Sequence, residues 1–131
     1  MALSRKQSRE VVFRLLFSCS NPDDGLEIAL DGWEKPTGPE LQYIQSLSSA
    51  AVNNLAAIDE IIIKHSHGFA FNRIFKTDLT ALRMGIAEIK FFEGKTPEVV
   101  AVNEAVEIAK KYGTEKSGGF VNGILAAVIN V

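Results

Sequence analysis

Leu41, Ile44, Ser48, Ala51, Leu55, Ile58 and Ile62 recur at alternating spacings of three and four. That rhythm places small and apolar side chains along one side of an α-helix, so the segment must find a partner surface. It predicts a single long helix, the spine of the fold. Thr37-Gly38-Pro39-Glu40 has the form of a capping box at its start, with Pro39 in the first turn. At its far end His65 and His67 sit where a helix dipole favours positive charge, and Gly68 can adopt the left-handed cap.

The same rhythm recurs elsewhere. From Arg5 to about Ser18 one stripe carries Val12, Leu15, Leu16 and Cys19, and a ridge beside it carries Arg5, Arg9, Phe13 and Phe17. Asn21-Pro22-Asp23-Asp24-Gly25 breaks this helix, and 26–36 is a less determined stretch with a short helix near Trp33. Phe69 to Lys76 reads as a linker, and Thr77 as an N-cap. Leu79, Leu82, Ile86 and Ile89 then mark a helix stopped by Gly94. Thr96-Pro97-Glu98 opens another, with Val99, Val102, Val106 and Ala109 inward and Gly113 closing it. Ser117 caps the last, where Val121, Ile124, Leu125 and Val128 share a face. No stretch alternates with a period of two, so the expected class is all-α, one domain over residues 1–131.

Charge is unevenly placed. The chain carries a net −2, which alone argues against nucleic acid. Within residues 1–14, however, Arg5, Lys6, Arg9 and Arg14 face only Glu10, a local +3 that leaves −5 on the remainder. A basic head on an acidic body favours selective contact with an anion over general coating of DNA. Arg5, Lys6 and Arg9 lie at a helix start, where the dipole disfavours cations by a few tenths of a kcal/mol. An anionic partner would compensate. Phe13 and Phe17 on the same ridge either offer a stacking face to unpaired bases or are core aromatics.

Enzymatic chemistry has little to stand on. His65 and His67 have no Cys, Asp or Glu at metal-ligand spacing, and no cofactor or metal is expected. Cys19 on the apolar stripe suits a core residue, and as the single cysteine it points to a reducing compartment. No P-loop or dinucleotide fingerprint is present, and nothing assembles a nucleophile, base and oxyanion hole. With 47% hydrophobic residues and no apolar run of membrane length, a cytoplasmic globular protein is expected. Asn103 and Asn122 interrupt helices as poor helix formers. Asn103 reads chiefly as a bond to a neighbouring element. Asn122, beside Gly123, either makes such a bond or faces a ligand.

Arg73-Ile74, Asp78-Leu79 and Ala81-Leu82-Arg83-Met84-Gly85-Ile86, the run Pro97 to Gly113 and the closing Phe120-Val121-Asn122-Gly123-Ile124-Leu125 together resemble the NusB family of bacterial transcription antitermination factors. The basic start Arg5-Lys6-Gln7-Ser8-Arg9-Glu10 is similar too. The resemblance implies about seven helices in two roughly perpendicular subbundles. It implies a non-enzymatic factor that binds boxA RNA of ribosomal RNA leader transcripts with ribosomal protein S10 (NusE), within the RNA polymerase antitermination complex. By that analogy Arg5, Lys6 and Arg9 meet phosphates, Phe17 and Phe120 lie near bases, and Asn122 and Lys116 belong to the same surface. Phe17 stands where the family usually has Tyr. Arg83 and Asp78 match positions near the RNA and S10 surfaces, although Arg83 is equally suited to an ion pair with Glu88 or Glu104. Lys116-Ser117-Gly118-Gly119 departs from the family pattern, gaining a cation at Lys116 and losing one at Gly119. The rival readings are a substrate-binding module like those of ribosomal RNA cytosine methyltransferases, and a helical homodimeric adaptor.

Overall fold

The computed structural model describes residues 3–130. Among them seven α-helices follow in order: α1 (Arg5–Phe17), α2 (Pro22–Leu30), α3 (Pro39–Asn53), α4 (Leu55–His65), α5 (Lys76–Ile86), α6 (Glu98–Tyr112) and α7 (Ser117–Ile129). The helices form two groups. In the first, α1 packs on α2 and α3, while in the second α5, α6 and α7 pack on one another and α4 on α5 and α7, and α1 reaches across to α5 and α6. One apolar cluster runs through both groups from Leu3 to Val128. The all-α expectation holds. No helix among the described residues is long and apolar enough to cross a membrane.

The spine is two helices, not one. Asn54 (φ −123°, ψ 23°) ends α3 and begins α4. Asn is a poor helix former because its side chain competes for nearby backbone groups, and Asn54 Nδ2 donates to the Ala50 carbonyl at 2.8 Å. The repeat continues across the break because both helices bury the same stripe, with Ile44, Leu47 and Ala51 before it and Ile58 and Ile62 after it. The predicted capping box at Thr37 does not form. Gly38 is the N-cap, with φ +60° and no side-chain cap bond.

A capping box does form at α1, where Ser4 Oγ accepts from the Gln7 N–H at 3.0 Å and Gln7 Oε1 from the Ser4 N–H at 2.9 Å. The other end of α1 corrects the reading of Cys19. Its N–H bonds the Leu16 carbonyl and the Ser20 N–H bonds that of Leu15, the Schellman arrangement. That closure needs a left-handed residue, and Cys19 takes φ +58°. The turn throws its thiol outward, so Cys19 is exposed rather than core.

Other boundaries differ in smaller ways. Asn21 caps α2 through a side-chain bond to the Asp24 N–H, so the expected break is a helix start, and Trp33 lies beyond its end. Phe75, not Thr77, is the N-cap of α5, and Lys116, not Ser117, that of α7. Instead of reaching Gly94 as an α-helix, α5 widens into a π-turn over Ala87–Phe91. In α6 the buried face is Ala101, Val102, Ala105, Ile108 and Ala109, while Val99 is 62% exposed. The alanines let α5 approach closely. A Cβ on Gly85 would sit 3.2 Å from the Ala105 Cβ.

Candidate nucleic-acid interface

The first turn of α1 contains no acid. Its side chains separate the local +3 charge into two kinds. Arg5 and Lys6 are exposed, whereas Arg9 is only 4% exposed. Arg9 donates Nε and Nη2 to the two carboxylate oxygens of Glu88, both at 2.8 Å. The π-turn carries Glu88 on its buried side, where it also accepts from Tyr43 Oη at 2.9 Å and Thr96 Oγ1 at 2.7 Å. Arg9 is therefore tied to the interior, and the expectation that it meets phosphate is corrected. Arg14 is also committed, donating to Tyr112 Oη at 3.0 Å and to the Ala29 carbonyl at 2.7 Å.

Burial alone would raise the Glu88 carboxyl, but its bonds to Arg9, Thr96 and Tyr43 outweigh that and hold it below the usual range. Glu10 behaves likewise: burial opposes ionisation, and Lys111, Tyr112 and Arg14 overcome it. The same field acts on Tyr43, whose hydroxyl is pushed far upward by burial and by the negative Glu88. Carboxylates lowered in the folded state contribute stability above their unfolded value of 4.5, and that stability is lost as pH falls through the lower folded values. Denaturant midpoints should therefore be level from pH 7 to 5 and fall below pH 4.5. In Glu88→Gln that acid-induced fall should be shallower.

The exposed cations hold positions open to a ligand. Arg5 lays its guanidinium over the Tyr43 ring, 3.9 Å from the centroid. Lys6, 67% exposed, reaches Glu104 at 3.6 Å, a contact of little worth at such exposure. At the other end of α1, half-buried Phe17 carries Lys76 Nζ 4.6 Å from its ring centroid. Phe13 is buried and stacks on Tyr112, so the core reading applies to it. On α7 half-buried Phe120 packs against Phe69, with centroids 5.0 Å apart, and Phe69 is 46% exposed. Sequence reasoning missed Lys76 and Phe69, because only the fold brings them to these rings.

Lys116 and Asn122 are exposed on α7. Asn103 is also exposed, against the expectation of an internal bond. Gly118 presses on the Lys110 stem, with 2.8 Å from an added Cβ to Cγ, but Gly119 and Gly123 face open space. Arg83 pairs with neither Glu88 nor Glu104. It forks onto Asp59 of α4 at 2.9 and 2.8 Å, which joins α4 to α5. Asp78, expected at a partner surface, is 5% exposed in the first turn of α5, its Oδ1 without a hydrogen-bond partner among the described residues. Burial makes it a poor first contact for another protein.

Comparison with known proteins bears on the family and the fold. The transcription antitermination protein NusB of Agathobacter rectalis is 42% identical, over 95% of this chain and 98% of its own length. That of Natranaerobius thermophilus is 39% identical over 98% and 96%. The structure of T. maritima NusB superposes with a TM-score of 0.82 at 32% identity, covering 99% of this chain and 93% of that one. NusB in a complex of antitermination factors NusB and NusE with double-stranded RNA gives 0.77 at 29% identity, covering 96% and 92%. The match to the NusB family spans residues 6–130, and the chain belongs to that family.

Proposed function

We propose that the protein is a non-catalytic antitermination factor that captures boxA-type RNA of ribosomal RNA leader transcripts together with ribosomal protein S10, and so promotes read-through by RNA polymerase in the cytoplasm. The observation that carries this reading is the pair of exposed cations, Arg5 and Lys6, at a capped helix start with no acid in its first turn. They supply charge to phosphates, while Phe17 with Lys76 and Phe120 with Phe69 offer ring surface to unpaired bases. Lys116 and Asn122, both exposed, are the further cation and amide that we assign to the same RNA.

Fluorescence anisotropy with a boxA-type RNA tests this, with and without S10. Binding that tightens with S10 and weakens steeply with salt is expected. Affinity independent of salt and of S10 would defeat it. A gain-of-function variant follows from the open position of Gly119. Gly119→Lys should tighten RNA binding about threefold and steepen the salt slope by about 0.7, the value for one added phosphate contact on a single strand. Its effect on stability should be small, because the gain in helix propensity over glycine is opposed by the dipole's disfavour of a cation in the first turn of α7.

A further inference from the structure

We propose that the cleft beside Arg5 is a pocket for one further unpaired nucleotide of the bound RNA, past the stretch that α1 itself meets; this rests on the RNA-binding reading above. The cleft is an open one of about 560 Å³ between α3 and the end of the π-turn with the residues after it, and its lining includes Arg5, Gln42, Tyr43, Phe91, Phe92 and Glu93. That volume lies in the range of small-ligand sites, about 300–1,000 Å³.

Its floor is fixed. Tyr43 is 3% exposed, its hydroxyl is bound to Glu88, and Phe92 meets its ring edge-on at 5.4 Å and 86°. Arg5 holds its guanidinium carbon 3.9 Å from the centroid of that ring and remains exposed. A guanidinium kept at that place and still open to solvent can meet a base through its delocalised cation and a phosphate through its N–H groups. Arg5 thus belongs both to the basic start of α1 and to the cleft, which makes the pocket continuous with the RNA surface.

The polar groups set the orientation and the preference. The carboxylate of Glu93 repels a phosphate, so the base enters and the phosphate stays on the side of Arg5 and Lys6. A carboxylate accepts a hydrogen bond from an exocyclic amine, as on cytosine N4, and uracil has none. Gln42, exposed on α3, supplies an amide able to donate and accept. The expected occupant is therefore an amino-bearing base, cytosine above uracil.

The experiment compares a minimal boxA-type RNA with versions extended by two cytidines or two uridines at either end. Stacking of one base raises affinity by about fivefold to a hundredfold. A cytidine extension at one end should accordingly tighten binding about tenfold, and the uridine extension clearly less. Ser46→Trp fills the cleft from an exposed position on its wall. It should abolish the gain while leaving the melting temperature and the affinity for the minimal RNA unchanged. Glu93→Ala should remove the cytidine preference. A wild-type protein that binds the minimal RNA but gains from neither extension overturns the proposal, as does a gain that survives Ser46→Trp. Failure to bind the minimal RNA at all would instead refute the RNA-binding reading.

Discussion

Glu88→Ala should lower the unfolding free energy by about 3–5 kcal/mol, the penalty for breaking a buried ion pair from one side. Glu88 is 2% exposed and receives four hydrogen bonds, two from Arg9 and one each from Tyr43 and Thr96. Removing it leaves the Arg9 guanidinium inside the fold with Glu104, at 3.6 Å, as its remaining ion-pair partner among the described residues. Two hydroxyls lose their acceptor at the same time. Urea denaturation followed by circular dichroism measures the loss directly. Glu88→Gln retains the acceptor for the hydroxyls while losing the charge, so its midpoint should fall between wild type and Glu88→Ala. A change below about 1 kcal/mol in Glu88→Ala would mean that the pair contributes nothing beyond a surface contact.

Arg5→Ala with Lys6→Ala should weaken boxA-type RNA binding at least tenfold, with little effect on stability. Both side chains are exposed, and their contacts inside the protein are a stacked Tyr43 ring and a long pairing to Glu104. Exposed contacts of these kinds are each worth less than about 1 kcal/mol. The same pair of changes should leave the denaturant midpoint near that of the wild type. Equal losses of affinity and stability would assign Arg5 and Lys6 to the fold instead.

Periodicity made most of the fold legible, because burial of one helical face leaves a trace at every third or fourth residue. The buried faces of α1 and α7 carry Val12, Leu15, Val121 and Leu125 where the spacing puts them. The break at Asn54 was masked, since the apolar rhythm runs straight through the Asn53-Asn54 pair that causes it. In α6 small and branched residues alternate so closely that two faces look alike, and packing against Gly85 selects the alanine-rich one. Cys19 was misplaced because a helical stripe was extended one residue past the cap.

The site was legible in a different measure. Clustered charge on α1 singled out Arg5, Lys6 and Arg9 together, but charge does not reveal its partner. Arg9 meets a carboxylate 79 positions away, at a turn whose π geometry no spacing rule marked. Asp59, the partner of Arg83, lies in a stretch where only a helical pattern was visible. The family motif Phe120-Val121-Asn122-Gly123 did carry information that composition lacked. Its Val121 is core, its Phe120 half-buried, and its Asn122 and Gly123 open. One short segment thus anchors α7 and exposes a polar edge.

The central claim is that the basic start of α1 divides into two cations for RNA and one for the fold. The salt dependence of RNA affinity, measured for wild type, Arg5→Ala/Lys6→Ala and Arg9→Met at a temperature where all three are folded, tests it most directly. Each phosphate contact on a single strand contributes about 0.7 to the slope of log affinity against log salt. The double variant should lose about 1.4 from that slope, and Arg9→Met should melt earlier yet keep the wild-type slope. An unchanged slope in the double variant, or a slope reduced by Arg9→Met, would contradict the division.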